Sequence, residues 1–291
     1  MRLALATAIA AWGHDLDMPP LLAACARAGV PAEVLAWDDP TVSWGRFDAV
    51  LLRSTWDYTQ RRGAFLEWCA AVEGVSHLFN PVEVVHWNTD KRYLLELARS
   101  AVPVVPSLVL QPGEPWDAGP WPDGEVVVKP CVGAGARDAA RFATEARDAA
   151  IEHARRLLGR GQSVLVQPYL PGVDDYGETA LIHIAGKYSH AIRKGPLLSP
   201  SAGASQALFA EESIQPRIAT DAEHAVAERA LAALPHAPLY ARVDLLPSAE
   251  GPRLLELELV EPSLFFDASE DAADRLIAAL IDRLHALNEH A

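Results

Sequence analysis

Short apolar runs alternate with helical patterns over the first third of the chain. The apolar runs have the length of buried strands and lie at 3–7, 32–37 and 47–52. Apolar positions at helical spacing occur at 21–28 and 62–72, and a glycine lies shortly after each. Strands separated by helices predict a parallel sheet covered on its faces, and therefore an N-terminal α/β domain.

The pattern changes after residue 88. Residues 111–124 form a connection rich in proline and glycine, and residues 195–220 show so little periodicity that they predict a mobile functional loop. Between and around these segments the sequence predicts helices at 89–98, 145–158, 221–234 and from 271, and strands at 125–129, 163–167, 178–185, 188–194, 239–246 and 253–260. We therefore expect mixed α+β subdomains after the first domain.

Composition and charge narrow the class of protein. Of 291 residues, 50% are hydrophobic and 22% are charged, which is enough apolar sequence for a substantial core. The net charge of −14 argues against a general nucleic-acid binder, which would have a basic face. The chain has no run of 18 apolar residues, and its N-terminus is interpreted as a strand and not a signal peptide, so we expect no membrane partner. Three cysteines without a C-x-x-C pair suit a reduced, cytoplasmic compartment. The sequence leaves open whether the protein forms a homodimer.

The segment Val126 to Asp138 carries the most informative motif. An apolar strand ends at Lys129 and passes at once into a loop that contains Gly133 and Gly135. A lysine ammonium and exposed loop amides suit phosphate oxygens, although a plain surface turn would show the same pattern. The phosphate-loop motif G-x-x-x-x-G-K-[ST] is absent, and the third glycine of the dinucleotide-binding fingerprint is missing.

Lysine is rare in this chain, which has 21 arginines and four lysines. Lys91 follows the sequence Asn-Thr-Asp, Lys129 ends a strand, and Lys194 ends another strand directly before Gly-Pro. We interpret these three positions as functional, with chance as the alternative for any one of them.

Carboxylates interrupt two apolar strands near the C-terminus. Glu256 and Glu258 lie two residues apart and face the same side of a strand, and a hairpin brings Asp244 to the neighbouring strand. A buried carboxylate without a partner is unfavourable, and Mg²⁺ would accept these oxygens together with those of phosphate and water. Arg242 lies beside them, where it could bind a phosphate. A solvated acidic edge is the alternative interpretation.

In this order along the chain, the motifs resemble those of the ATP-grasp superfamily of carboxylate–amine ligases, which bind ATP between two α+β subdomains. The resemblance implies a substrate domain at 1–88, a small lid subdomain at 89–170 and a metal-binding, catalytic subdomain at 171–291. It implies ATP and Mg²⁺ as cofactors. The residues implied to bind ATP are Lys91, Lys129, Gly133, Gly135, Arg137, Gln167, Leu170 and Glu178.

The resemblance also assigns roles within this set. The two lysines would contact the phosphates, the loop with the two glycines and Arg137 would close over them, Gln167 and Leu170 would frame the adenine, and Glu178 would hold the ribose.

The resemblance implies a metal and catalytic set as well: Mg²⁺ on Asp244, Glu256 and Glu258, with Arg242 and Lys194 as catalytic cations. Two departures from the family pattern occur. Glu258 stands where the family commonly has asparagine, which leaves Glu261 as an alternative ligand, and Gln167 stands where glutamate is frequent. Neither change removes an oxygen donor.

Within the superfamily, segments 17–20, 53–58 and 256–266 are most similar to the cyclo-ligases that close O-ureido-D-serine to D-cycloserine. The segment after the third strand would then bind a small amino-acid-like substrate through Arg53, Ser54, Thr55, Trp56 and Asp57. Arg53 would take the carboxylate of the substrate and Asp57 its ammonium group. An ordinary strand-end loop is the alternative.

The implied reaction begins with attack of a substrate carboxylate on the γ-phosphoryl group of ATP, which gives an acylphosphate and ADP. An amine of the same molecule then displaces phosphate. A dipeptide or amino-acid ligase of the same superfamily and a non-catalytic ATP-binding module are the alternatives. The joint presence of Asp244, Glu256 and Arg242 argues against the module, because binding alone needs fewer groups.

Overall fold

The computed structural model describes residues 1–115, 120–198 and 213–289. Over these residues the chain forms thirteen strands in three sheets, with eight α-helices packed against them. One sheet lies within each of the ranges 1–88, 89–170 and 171–291, and the division into three units stays a prediction.

The first sheet is parallel and belongs to the expected α/β domain. Its strand order is β2-β1-β3-β4. In chain order its elements are β1 (Leu3–Thr7), α1 (Met18–Arg27), β2 (Ala32–Ala36), β3 (Ala49–Leu52), α2 (Arg62–Glu73) and β4 (His77–Phe79). The predicted strands and helices are present, whereas β4 is too short, at three residues, to show a pattern in the sequence.

Two short helices follow this domain. They are α3 (Val82–Asn88) and α4 (Tyr93–Arg99), and the turn between them contains Lys91. The single helix predicted at 89–98 is therefore wrong at its start. The side chain of Asp90 accepts the backbone N–H two residues further on at 3.1 Å, which stabilises a turn in place of a continuous helix.

The second sheet is antiparallel, with strand order β5-β8-β6-β7. In chain order its elements are β5 (Leu108–Leu110), β6 (Val126–Pro130), β7 (Ala140–Phe142), α5 (Arg147–Gly159) and β8 (Val164–Pro168). Apolar residues of α5 share a buried cluster with β6 and β8, so the helix covers one face of the sheet. Lys129 on β6 lies in the register opposite Leu165 of β8.

The third sheet is antiparallel, with strand order β11-β10-β9-β12-β13. In chain order its elements and associated helices are α6 (Gly172–Tyr176), β9 (Glu178–Ile184), β10 (Lys187–Lys194), β11 (Ile214–Arg217), α7 (Asp221–Ala232), β12 (Tyr240–Leu246), β13 (Arg253–Glu258) and α8 (Ala272–Glu289). Strand β11 corrects the prediction of an irregular loop at 195–220: its polar sequence and Pro216 conceal a strand that pairs with β10 at the sheet edge. The rest of that predicted loop lies largely at 199–212, outside the described residues.

One buried core joins the first domain to the third sheet. Leu5 of β1 and Ile182 of β9 belong to the same cluster, to which α1 contributes Leu21 and α8 contributes Leu280. A second cluster packs α4 and α7 against β12 and β13. These contacts fix the strand ends of the first domain relative to the face of β12 and β13.

None of the helices in the described ranges combines the length and the apolar character that a membrane span requires.

Candidate active site

A cavity of about 580 Å³ lies between the second and third sheets and reaches the segments that follow β1 and β3 of the first domain. All thirteen predicted ATP-binding, metal-binding and catalytic residues line it: Lys91, Lys129, Gly133, Gly135, Arg137, Gln167, Leu170, Glu178, Lys194, Arg242, Asp244, Glu256 and Glu258. Of the five predicted substrate residues, Trp56 lines it.

The pairing of β12 with β13 creates a charged face on this cavity. Asp244 lies opposite Glu256 and Arg242 lies opposite Glu258, so alternation along both strands brings the four side chains to one side. On the other side, Leu257 and its neighbours on β12 pack into the core. The alternation seen in the sequence therefore has the predicted consequence.

Side chains close the outer edge of β13. Asn88 donates to the carbonyl of Leu257 and accepts the N–H of Leu259, both at 2.7 Å. The hydroxyl of Tyr93 donates to the carbonyl of Leu257 and accepts its N–H, both at 2.9 Å. The two side chains replace the hydrogen bonds of a missing neighbouring strand and fix the backbone on both sides of Glu258. No sequence pattern indicated this role.

Opposite charges on the face neutralise each other. Lys194 lies 2.6 Å from Asp244, and Arg242 lies 2.9 Å from the same carboxylate. Arg242 also binds Glu258, and Lys194 also binds Glu178. Burial opposes ionisation of Asp244, but Arg242 and Lys194 outweigh it and hold its pKa well below the usual value.

Other carboxyl groups of the cavity ionise less readily. Burial raises the pKa of Glu178 to about 7, and Asp244 adds to this although Lys194 opposes it. Burial raises the pKa of Glu258 to about 7, with Arg242 opposing and Glu256 adding to the shift. Burial, followed by the charge of Glu258, raises the pKa of Glu261 to about 8. Burial opposes ionisation of Glu256 as well, but Lys91 and Lys129 outweigh it and lower its pKa.

Lys129 differs from the other cavity lysines because no carboxylate among the described residues lies within 4.0 Å of its ammonium group. Burial and then the charge of Lys91 lower its pKa, although Glu256 acts in the opposite direction. Lys91, in contrast, lies 2.8 Å from Glu256. A partly buried cation without a counter-ion is suited to an anionic ligand.

The glycine loop after β6 is held at both ends. The ammonium group of Lys91 donates to the carbonyl of Gly133 at 2.6 Å. Gly135 has a φ of +61°, a conformation that glycine adopts without strain. At the other end, Nε2 of His153 lies 2.8 Å from the carbonyl oxygen of Asp138. The loop therefore lies against the lysines, as its predicted phosphate role requires.

A close backbone approach positions Glu178 at the start of β9. The preceding residue, Gly177, has a φ of +80°, and a Cβ atom there would lie 2.6 Å from the carbonyl oxygen of Lys194. Only glycine fits this approach without a shift of the backbone. The contact brings Glu178 and Lys194 together at the cavity wall.

The structure does not bring most of the segment after β3 into the cavity. Arg53 is 1% exposed and lies 3.2 Å from Asp17. Asp57 accepts the indole N–H of Trp37 at 2.8 Å and forms an ion pair with Arg61. Neither side chain lines the cavity, and their predicted substrate contacts stay predictions; the buried Nε and Nη1 of Arg53 have no hydrogen-bond partner among the described residues.

The predicted substrate roles of Ser54 and Thr55 likewise stay predictions. Both are fully buried and outside the cavity lining, and the Ser54 hydroxyl lies 2.7 Å from that of Thr7. The sequence showed a polar run at a strand end but not which side chains turn inward.

Two residues at this end of the cavity were not assigned as substrate contacts. Tyr58 and Glu261 both line the cavity, and the Tyr58 hydroxyl interacts with the Glu261 carboxylate. The indole N–H of Trp56 donates to the carbonyl of Glu261 at 3.0 Å. Tyr58 stood in the polar and aromatic run, and Glu261 stood close to the predicted metal strand, but nothing in the sequence indicated that they meet.

Within the described ranges, no group of three or more His, Cys, Asp or Glu side chains has the geometry of a complete metal site. The predicted ligands Asp244, Glu256 and Glu258 nevertheless share one face of the β12–β13 pair. Their oxygens are the type that Mg²⁺ binds, and Mg²⁺ commonly uses one or two carboxylates together with water and phosphate. The donor set fits a metal that is completed by a nucleotide, and the metal assignment stays a prediction.

Comparison with known proteins agrees with this architecture. A family model described as the N-terminal domain of D-cycloserine synthetase DcsG matches residues 3–80. The cycloserine biosynthesis protein DcsG of Streptomyces lavendulae is 42% identical over 296 residues, which cover 97% of this chain and 98% of that protein.

Solved structures show the same relationship. The crystal structure of D-cycloserine synthetase DcsG is similar with a TM-score of 0.88 and 40% identity, over 98% of this chain and 100% of that one. A RimK domain protein of the ATP-grasp type from Sphaerobacter thermophilus has a TM-score of 0.67 and 19% identity, over 97% and 100% of the two chains, which shows a shared fold alone. The chain therefore belongs to the D-cycloserine synthetase family and has the ATP-grasp fold that its motifs predicted.

Proposed function

We propose that this chain is an ATP-dependent cyclo-ligase that closes O-ureido-D-serine to D-cycloserine in antibiotic biosynthesis. The observation that carries the proposal is the 42% identity with a cycloserine biosynthesis protein along 97% of the chain. The cavity supports it, because it combines cations for a nucleotide, carboxylates for a metal and a separate end that reaches the first domain.

In this proposal the ATP phosphates bind near the glycine loop. Lys129 supplies a charge without a counter-ion, and Lys91 holds the loop through the carbonyl of Gly133. The adenine binds between Gln167 and Leu170. Gln167 donates to Ser107 at 2.9 Å, and its buried Oε1 has no hydrogen-bond partner among the described residues, so this oxygen is available to an amino group of the base.

Asp244, Glu256 and Glu258 would hold Mg²⁺ in the complex with ATP. The bound ion would neutralise charge on the phosphate oxygens. The placement of the three carboxylates on one face of the β12–β13 pair supports this assignment. Glu178 lies beside this face, at a position suited to the ribose hydroxyls.

The reaction has two steps on the substrate. Its carboxylate attacks the γ-phosphorus of ATP and ADP leaves, which forms an acylphosphate; the oxygen-bound nitrogen of the ureido group then attacks the acyl carbon and releases phosphate. D-cycloserine lacks the carbamoyl group of the substrate, so this group must leave as carbon dioxide and ammonia after addition of water. Arg242 and Lys194 are fixed by buried carboxylates. Their positive charges would therefore stabilise the phosphoryl group during its transfer without a rearrangement of the two side chains.

Incubation of the protein with Mg-ATP and O-ureido-D-serine tests the proposal. We expect ADP, phosphate and D-cycloserine in equal amounts, measured by chromatography of the nucleotides and mass spectrometry of the amino acid. A parallel reaction with D-alanine tests the dipeptide-ligase alternative: ADP release with D-alanine and none with the ureido substrate would replace our proposal. Stabilisation by ATP without turnover of either substrate would support the non-catalytic module.

A further inference from the structure

Glu261 has an environment unlike that of the other cavity carboxylates. It lies three residues beyond β13 and is 8% exposed. The other four carboxylates that belong to the predicted nucleotide and metal set each have a lysine or arginine nitrogen within 4.0 Å, whereas no such contact to Glu261 occurs among the described residues. Lys91 acts on it from a greater distance and is bound to Glu256 and to the glycine loop.

The first domain holds Glu261 in place. The indole N–H of Trp56 donates to its backbone carbonyl at 3.0 Å, and the Tyr58 hydroxyl interacts with its carboxylate. Both partners belong to one short 3₁₀-helix, Trp56–Gln60, that follows β3. The residue is therefore held through its backbone by an indole and contacted at its carboxylate by a phenol, and neither group carries a positive charge that could neutralise the carboxylate.

A buried carboxylate without a cationic partner is unfavourable in the ligand-free protein and favourable once a cation binds. The aromatic side chains of Trp56 and Tyr58, which belong to the same 3₁₀-helix, also line the cavity. Aromatic faces attract an organic ammonium ion, whereas Mg²⁺ prefers oxygen ligands. The surroundings of Glu261 thus fit an ammonium group better than a metal.

The sequence assigned the ammonium group of the substrate to Asp57, but Asp57 is engaged by Arg61 and Trp37 away from the cavity. We propose that Glu261, in contact with Tyr58, binds the α-ammonium group of the amino-acid substrate. Arg242 lies on the neighbouring charged face, so the carboxylate that reacts with ATP would point towards the phosphates while the ammonium group is held at the first domain. This inference rests on the proposed function and selects α-amino acids as the substrate class.

The test compares O-ureido-D-serine with its analogue that lacks the α-amino group, in the wild-type protein and in Glu261→Gln. Steady-state ADP release gives KM for each compound, and the ratio of the two KM values measures recognition of the ammonium group. We expect a ratio of about 10 to 100 in the wild type, the size of a charge-assisted hydrogen bond, and a ratio near one in the variant. The KM for ATP and the Mg²⁺ concentration for half-maximal activity should stay unchanged.

Two further variants test whether the change in the KM ratio comes from Glu261 itself and from its contact with Tyr58. Glu228→Gln makes the same change on the exposed face of α7 and should leave the ratio at the wild-type value. Tyr58→Phe keeps the carboxylate but removes the hydroxyl that contacts it, and should lower the ratio several-fold; it provides the decisive measurement if Glu261→Gln does not fold.

Several outcomes contradict the proposal. A wild-type ratio in Glu261→Gln, together with an increased requirement for Mg²⁺, would make Glu261 a metal ligand. A wild-type ratio in both Glu261→Gln and Tyr58→Phe would remove the ammonium site altogether. Absence of turnover of O-ureido-D-serine by the wild type would instead contradict the proposed function, and this inference would be lost with it.

Discussion

The two ends of the cavity are built in different ways. At the nucleotide end, most of the charged groups lie on strands of the second and third sheets, and most of them neutralise each other, as Lys194, Arg242 and Asp244 do. At the end near the first domain, Tyr58 and Glu261 come from a 3₁₀-helix and a segment after a strand. The nucleotide end is therefore held together by several ion pairs between strands, whereas the other end depends on a few contacts between the first domain and the segment after β13.

One group at each end lacks an opposite charge among the described residues. Lys129 has no carboxylate within 4.0 Å, and Glu261 has no lysine or arginine within that distance. The difference in sign teaches how one cavity distinguishes its two ligands: an anion is favoured near β6, and a cation is favoured near the first domain.

The largest effect should come from Asp244→Asn at the nucleotide end. The change removes one negative charge that both Lys194 and Arg242 share, and we expect ADP release to fall by about 10³-fold or more, the range for loss of a preorganised charge in an active site. Glu178 and Glu258 remain as counter-ions for these cations, so the far-UV circular dichroism spectrum should not change. Undiminished ADP release would remove Asp244 from the metal site.

Lys129→Ala should weaken the binding of ATP at one end of the cavity and leave the binding of the amino-acid substrate at the other end unchanged. Loss of the unpaired ammonium group should raise the KM for ATP by about 10- to 100-fold, because a charge-assisted hydrogen bond to phosphate is lost. The KM for the amino-acid substrate should change little. Lys187→Ala, a change at an exposed lysine, is the control. Equal increases of both KM values in Lys129→Ala would show that the two ends are not independent.

Asn88→Leu should have a smaller effect that acts through the edge of β13. The variant leaves the N–H of Leu259 without its partner and removes one of the two donors to the carbonyl of Leu257, the other being Tyr93, which should lower the free energy of unfolding by about 2 kcal/mol. It should also raise the Mg²⁺ concentration for half-maximal activity, since Glu258 lies between these two groups. Thermal unfolding and a Mg²⁺ titration measure the two effects, and a loss of stability with an unaltered Mg²⁺ titration would restrict Asn88 to a structural role.

The smallest effect should follow treatment with a thiol reagent. All three cysteines are buried; burial raises the pKa of Cys25 to about 11 and that of Cys131 to about 12. The reactive thiolate is therefore scarce at neutral pH. Iodoacetamide should leave the activity of the native protein unchanged, although Cys131 lies next to the lysines of the nucleotide end. Rapid inactivation would show that this end opens more often than its packing indicates.

The sequence predicted most of the nucleotide end because strands carry a simple rule. Residues two apart on a strand share a face, and this rule alone places Glu256 with Glu258 and Arg242 with Asp244. The placement of Lys129 at the end of an apolar run followed the same logic. The parallel first sheet was predicted correctly for a related reason, namely that apolar runs and helical patterns alternate along it.

The other end could not be predicted in this way. Arg53 lies in the short segment between β3 and the 3₁₀-helix, and neither this segment nor the helix has the two-residue alternation of a strand. The sequence therefore could not show that Arg53 and Asp57 are buried away from the cavity while Trp56 and Tyr58 reach it. The contact of Tyr58 with Glu261 joins residues about 200 positions apart and depends on how the domains pack. Strand β11 was missed because its pattern is polar.

The closed edge of β13 also bears on association between copies of the chain. An exposed strand edge can pair with the edge of another molecule, which leads to sheet extension or aggregation. Here the hydrogen-bonding groups of β13 are already taken: Leu254 bonds to the backbone of Pro103 and Val105, and Asn88 and Tyr93 occupy the positions around Leu257. Two copies that form a homodimer would therefore have to associate through other surfaces, and this edge should not start an aggregate while the native fold persists.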